Sequence, residues 1–130
     1  MVYKFSKRSL DNLKGVHPDM VKLMKEAIKT TPIDFTIIEG VRTTARQLEL
    51  YKAKKSRCDG IYKKSNHQVK KDGYGYAVDV VPYPVDWNNI NRFILLSKHI
   101  KSVANKLGIK ISYGGDWTMK DFPHWELKGV

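Results

Sequence analysis

Cysteine is nearly absent from this chain: Cys58 stands alone among 130 residues. One thiol cannot close an internal disulfide, and it excludes a structural zinc site built on several thiolates. It fits synthesis in a reducing cytoplasm. Acidic residues are scarce too, 13 Asp and Glu against 24 Lys and Arg, which leaves a net charge of +11. Such a surplus favours a polyanionic partner, whether nucleic acid, an anionic membrane face or a charged wall polymer, and the charge alone does not choose among them. Long apolar runs are missing, with nothing near the roughly 20 residues needed to cross a bilayer. The opening stretch MVYKFSKRSLDNLKG has basic residues but no hydrophobic segment behind them, so no secretory signal is expected. Repeats and Pro/Gly/Ser-rich linkers are lacking. The length suits a single domain, 1–130, and is too short for two.

What is present is patterned. HPDMVKLMKEAIKTT places Pro18 at a first helical position, with Met20, Leu23, Met24, Ala27 and Ile28 recurring at helical spacing. DFTIIEG reads as a short strand closed by Gly40. TARQLELYKAKKS begins with Thr44 and has Gln47 three residues on, the spacing of a capping box, which predicts a second helix. Residues 56–74 read as a polar, basic loop. YAVDVVPY is a strand that must stop near Pro82. NNINRFILLSKHIKSVANKLG is a third helix, capped at Asn88 or Asn89 and stopped at Gly108. IKISYGGDWTMKDFPHWEL reads as strand, glycine turn, loop and final strand. The expectation is a small α+β domain, an antiparallel sheet with about three helices packed around it.

Asp79 is out of place in that pattern. On the strand, Ala77, Asp79 and Val81 share one face, and Tyr76, Val78 and Val80 the other. Asp79 either faces solvent or turns inward, and an inward carboxylate needs a cation or several hydrogen bonds. A divalent metal would be the strongest such partner. Of the four histidines, His99 lies in register with Arg92 and Lys106 on the third helix and is expected to face water. His17 precedes Pro18, where a capping or surface role is the default. His67 sits in the polar loop. His124 follows Pro123 in PHWEL, a strand with His124 and Glu126 on one face and Trp125 and Leu127 on the other. Two histidines and one carboxylate make the three-ligand set of a catalytic zinc site, with a fourth position for water. No H-E-x-x-H helix is present, and spacing alone leaves both that set and ordinary structural roles open.

The surrounding residues narrow the choice. SNH at 65–67 ahead of GYAVD at 75–79, followed by DFPHWE at 121–126, resembles the zinc peptidoglycan peptidases. That family comprises D-alanyl-D-alanine carboxypeptidases and dipeptidases and the phage L-alanyl-D-glutamate endopeptidases. Its pattern runs S-x-H, a glycine turn, G-x-A-x-D and then D/E-x-x-H. NLKGVHPDMVKLMKEA, IEGVRTTARQLELY and GGDWTMKDFPHWE are similar to the endolysin branch in particular, so the resemblance spans about residues 10–127. In one respect the chain departs from it: His67 and Asp79 stand farther apart than in the family's pattern. The additional residues fall in QVKKDGY. Each doubling of loop length adds only about 0.6 kcal/mol of closure entropy, so this stretch can bulge outward without displacing either ligand.

The resemblance implies Zn²⁺ in a surface cleft, held by His67, Asp79 and His124, with Asp121 as the general base. It implies that Arg42, at the hinge between strand and second helix, holds a developing oxyanion or a substrate carboxylate. Ser65, Gln47 and Trp117 are candidate substrate contacts; Gln47 has the capping box as its other role, and Trp117 and Asp116 have turn and core as theirs. Glu126 is placed to orient a ligand imidazole. The implied activity is that of a phage or prophage endolysin cutting the L-alanyl–D-glutamate bond of peptidoglycan stem peptides, with D-alanyl-D-alanine carboxypeptidase activity as the alternative. Made without a signal peptide, such an enzyme would accumulate in the host cytoplasm and reach the wall once the membrane is permeabilised. Anionic wall or outer-membrane polymers are the partners expected for the basic surface, and a monomer is the default state. A distant alternative, a nucleic-acid-binding module, rests on the charge and on Tyr51, Tyr62 and Tyr74 interleaved with the Lys-rich loop at 52–71. No recognised nucleic-acid-binding signature accompanies it.

Overall fold

The computed structural model describes residues 3–56, 58–61, 65–118 and 120–128. Its first element, helix α1 (Lys7–Asn12), lies outside the expectation from sequence. Six residues are too few to carry a readable apolar period. The helix is fixed instead by the Ser6 cap, whose hydroxyl accepts the Ser9 amide at 3.2 Å, and by polar bonds to strand β1 (Phe35–Glu39). Ser9 Oγ lies 2.8 Å from Thr36 Oγ1 and accepts the Ile37 amide at 3.1 Å, and Asn12 Nδ2 donates to the Ile37 carbonyl at 2.8 Å. β1 is an edge of the sheet, and α1 covers backbone groups that would otherwise stand unpaired.

Helix α2 (Pro18–Thr30) starts where Pro18 predicts, with the His17 ring capping the Asp19 amide at 3.1 Å. Helix α3 (Thr44–Lys52) also forms, but its cap is Thr43, whose hydroxyl accepts the Arg46 amide at 3.1 Å. The capping box at Thr44 and Gln47 is therefore corrected: the cap lies one residue earlier, and Gln47 is fully buried. Strand β2 (Ala77–Pro82) ends at its proline. Helix α4 (Ile90–Leu107) runs between the Asn89 cap and Gly108, as expected. Strand β3 (Ile111–Tyr113), a 3₁₀ turn (Gly114–Asp116) and strand β4 (His124–Leu127) follow. Among the described residues of 56–74 there is no helix or strand.

Among the described residues four strands form one antiparallel sheet in the order β1-β2-β4-β3. Helices α2 and α4 pack against one face. Phe35, Ile37, Val78, Val80, Trp125 and Leu127 from the strands meet Met20, Leu23, Met24, Phe93, Leu96 and Ile100 from the helices in a single core. Each fully buried side chain of this kind contributes about 1.5–3 kcal/mol through area removed from water. His99 departs from its expected exposure: it is half-buried between the helices, with Nε2 at 2.9 Å from the Ala27 carbonyl and 3.3 Å from Thr30 Oγ1. Charge register on α4 misses this because the α2 backbone supplies the partner. No helix among the described residues is long and apolar enough to cross a membrane.

Candidate active site

The core occupies one face of β2 and β4, and the other face carries Asp79, His124 and Glu126 beside the small apolar Ala77 and Val81. In their register Ala77 pairs with Glu126, Val78 with Trp125 and Asp79 with His124. Alternation sends Val78 and Trp125 into the core and leaves Asp79 and His124 side by side on the far face. His67 joins them from the loop, held at several points. The Arg42 amide donates to its carbonyl at 2.7 Å, its amide donates to Ser65 Oγ at 3.2 Å, and the Tyr76 amide donates to the Asn66 carbonyl at 2.8 Å. Its ring Nδ1 lies 2.9 Å from the Gly40 carbonyl. Only glycine fits at position 40, since a Cβ there would collide with the Asn12 carbonyl at the end of α1.

These contacts fix the ring tautomers. A carbonyl can only accept, so His67 Nδ1 carries the hydrogen and Nε2 presents a lone pair to the site. His124 Nε2 lies 2.7 Å from Glu126 Oε1, so in the neutral ring, the form that binds a metal, it donates to the carboxylate and Nδ1 presents the lone pair. The two bare nitrogens face each other at 3.2 Å. Asp79 Oδ1 lies 3.3 Å from one and 3.5 Å from the other, is buried, and among the described residues has no hydrogen-bond partner. One donor atom from each of the three residues lies within 4.8 Å of the others. Two lone pairs beside an orphaned carboxylate oxygen repel one another unless a cation lies among them. Imidazole and carboxylate with no thiolate suit Zn²⁺, so these residues fit the metal.

The electrostatics agree. Burial disfavours the charged form of Asp79, but both imidazoles outweigh it and hold the carboxyl well below its ordinary range. Burial likewise opposes a charge on His124, yet Asp79 and Glu126 push its pKa up to about 9. Without metal, a proton on His124 does part of the cation's work. Glu126 is held below its ordinary value, because His124 and Asn66 outweigh its desolvation.

Asp121 stands at the mouth with solvent access. Desolvation, and after it the charge of Asp79, raises its carboxyl above the usual value, while His124, His67 and Arg42 pull the other way. Its backbone is set by Gly114, whose carbonyl accepts the Asp121 amide at 2.9 Å. A Cβ on Gly114 would strike the Asp121 backbone and crowd the Cβ of His124, so this glycine lets the turn and the segment 121–124 close together. Trp117 lies with its ring 5.0 Å from His124, its indole N–H donating to Ser112 Oγ at 3.0 Å. Ser65 adjoins through the His67 amide. Asp116 points elsewhere, to Lys101 at 2.7 Å.

Arg42 is buried and tied on two sides. Nε and Nη2 donate to the two Glu39 oxygens at 2.8 and 2.9 Å, Nη1 donates to Gln47 Oε1 at 2.8 Å, and Nη2 lies 3.6 Å from Asp79 Oδ2. The guanidinium therefore stands directly behind Asp79 in a fixed pose. Gln47 spends the rest of its amide on Ser56 Oγ at 2.7 Å and the Cys58 carbonyl at 2.6 Å, and is wholly buried. The reading of Gln47 as a substrate contact is corrected accordingly: it supports Arg42 and has no edge left for a ligand. Glu39 and Asn66 were missed from sequence. Glu39 lies three residues before Arg42, the one local signal that could have paired them. Asn66 shows itself only through its side-chain bond to Glu126 Oε2 at 2.7 Å. Of the tyrosines behind the nucleic-acid reading, Tyr51 lies on α3, Tyr74 rests edge-on against His17 at 5.6 Å, and Tyr62 falls outside the described residues.

Comparison with known proteins places the chain as a whole. The profile of the phage L-alanyl-D-glutamate peptidases matches residues 1–128. The L-alanyl-D-glutamate peptidase of Escherichia phage T5 is 31% identical over 131 residues, covering 98% of this chain and 91% of the relative. The peptidoglycan L-alanyl-D-glutamate endopeptidase CwlK of Bacillus subtilis (strain 168) is 29% identical over 127 residues, covering 86% of this chain and 73% of that protein. The crystal structure of the Serratia marcescens L-Ala D-Glu endopeptidase ChiX superposes with a TM-score of 0.81 at 34% identity, over 96% of this chain and 90% of that one. The chain belongs to the family of phage L-alanyl-D-glutamate peptidases.

Proposed function

We propose that this protein is a zinc-dependent endopeptidase that hydrolyses the L-alanyl–D-glutamate bond of peptidoglycan stem peptides, acting as an endolysin. The observation that carries the metal is the meeting of His67 Nε2, His124 Nδ1 and the orphaned Asp79 Oδ1 on one face of the sheet. The bond is supported by the relatives, all three of which are named for it. Bound to those donors, Zn²⁺ would polarise the scissile carbonyl and bring the pKa of water down to about 7. Asp121, at the mouth, takes a proton from the attacking water and returns it to the amine of the departing D-glutamate. Its raised pKa suits a group that must both accept and release a proton. Arg42 steadies Asp79 from behind and, from the pose set by Glu39 and Gln47, offers positive charge to the oxyanion or to a substrate carboxylate. Trp117 and Ser65 form the flanks of the groove.

The +11 charge draws the enzyme to anionic wall polymers in a salt-dependent way. The enzyme works as a monomer with one catalytic domain. It meets its substrate after the host membrane is breached. Mass analysis of muropeptides after digestion tests the assignment. Cleavage between L-alanine and D-glutamate, abolished by a chelator and restored by Zn²⁺, is expected. Release of terminal D-alanine with the alanyl–glutamate bond intact would overturn the choice of bond.

A further inference from the structure

Two histidines of the site come from unrelated parts of the chain: His124 from β4, His67 from a loop with no regular structure. The side chain that joins these parts is Asn66, the immediate neighbour of His67. Its Nδ2 donates to Glu126 Oε2 at 2.7 Å, and the other oxygen of the same carboxylate accepts His124 Nε2–H at 2.7 Å. Glu126 thus has one oxygen engaged by each partner. Rotation about the terminal torsion of a free glutamate is soft, so a carboxylate held at one oxygen only would let the imidazole swing. With both oxygens held, the ring stays aimed and Nδ1 remains directed at Asp79 and His67.

The backbone of Asn66 is itself anchored. Its carbonyl accepts the Tyr76 amide at 2.8 Å, directly before β2, and the Tyr76 carbonyl accepts the Leu127 amide at 2.9 Å on β4. The stretch that separates His67 from Asp79 is folded tightly rather than loose. Asp72 accepts the Tyr74 amide at 3.0 Å and the Tyr76 hydroxyl, and Lys70 Nζ lies 4.5 Å above the Tyr76 ring. Both ends of the bond from Asn66 to Glu126 are therefore fixed by backbone.

We propose that Asn66 is a positioning residue for His124: its side-chain amide locks the Glu126 carboxylate that aims the imidazole, so the loop bearing one histidine braces the other. The proposal rests on the reading of the site as a zinc centre. Partners of this kind, one bond behind a ligand, are worth 10–100-fold in metal affinity.

The test is competition for Zn²⁺ against a chromophoric chelator, using the full chain and the variants Asn66→Ala, Asn66→Leu, Glu126→Ala and the double Asn66→Ala/Glu126→Ala. Asn66→Leu keeps nearly the same volume and removes the donor, which guards against a packing defect in the alanine variant. Each Asn66 variant should bind Zn²⁺ about 10-fold more weakly, and Glu126→Ala 10- to 100-fold. The double variant should be no weaker than Glu126→Ala, because Asn66 acts only through that carboxylate. The absorption spectrum of the Co²⁺-substituted protein should shift in Asn66→Leu. Unchanged Zn²⁺ affinity and an unchanged Co²⁺ spectrum, with or without a lower melting temperature, would overturn the brace, as would losses that multiply in the double variant. A wild-type protein that takes up no Zn²⁺, or a His67→Ala protein that takes up as much, would overturn the zinc centre itself and the brace with it.

Discussion

Val78 and Trp125 on one side of the sheet, Asp79 and His124 on the other, are neighbours in sequence and pair with each other in the same register. On the first side, side chains from both strands join Met20, Leu23, Leu96 and Ile100 in a closed apolar cluster. On the second, two imidazoles, two carboxylates, an arginine and an amide are arranged by named hydrogen bonds with little slack. The apolar face stabilises by area, which is roughly additive and forgiving of shape. The polar face works only in one register, because sliding β2 by a residue would send Asp79 into the core and sliding β4 would send His124 there. The same alternation that stabilises the fold thereby sets the chemistry, and changes on the two faces should have separable consequences.

The sharpest separation lies within the polar face. His67→Ala should lose both Zn²⁺ and wall-lytic activity, whereas Asp121→Ala should keep Zn²⁺ and lose about 10²–10⁴ in rate. Metal analysis of both purified variants beside a lysis assay checks this, and retained lysis in both would remove the mechanism. On the apolar face, Trp125→Ala should cost about 3–5 kcal/mol in urea unfolding. The folded fraction should still bind Zn²⁺, since no ligand touches the core through that ring; an intact stability would mean the core does not depend on this face.

The smallest effect is one of pH. His124 without metal titrates near 9, above its ordinary value of about 6.5. A raised pKa contributes stability that is complete below about pH 6.5 and is lost as pH rises toward 9. Asp79, held low, contributes throughout this window and does not change within it. The zinc-free protein should therefore lose up to about 3 kcal/mol between pH 6.5 and 9, and the zinc-loaded protein, with no proton on His124 to lose, should stay level. Denaturant midpoints at several pH values separate the two curves; parallel curves would show that His124 holds no raised pKa for the metal to displace.

Much of this arrangement was legible in the residues. Apolar period set α2 and α4, Pro82 and Gly108 set two ends, and strand alternation put Glu126 beside His124 and opposite Trp125. Three features were hidden for physical reasons. Helix α1 is too short for a period, and its anchors are hydrogen bonds to a strand more than 20 residues away. The cap of α3 fell on Thr43 because Gln47 is drawn into the interior by Arg42, a partner that competes with the capping role. The half-buried pose of His99 depends on a carbonyl from another helix. The three metal-ligand candidates were legible by family pattern, but their convergence was not, since it depends on the pairing of β2 with β4 and on the Gly40 carbonyl.

The central claim is that one divalent ion is shared by three side chains distant in sequence, through named atoms. Anomalous diffraction at the zinc edge from crystals of the zinc-loaded protein tests it directly. A single strong peak about 2.0–2.2 Å from His67 Nε2, His124 Nδ1 and an Asp79 oxygen is the expected result. A peak bound elsewhere, or one reached through His124 Nε2 with the bond to Glu126 broken, would contradict it.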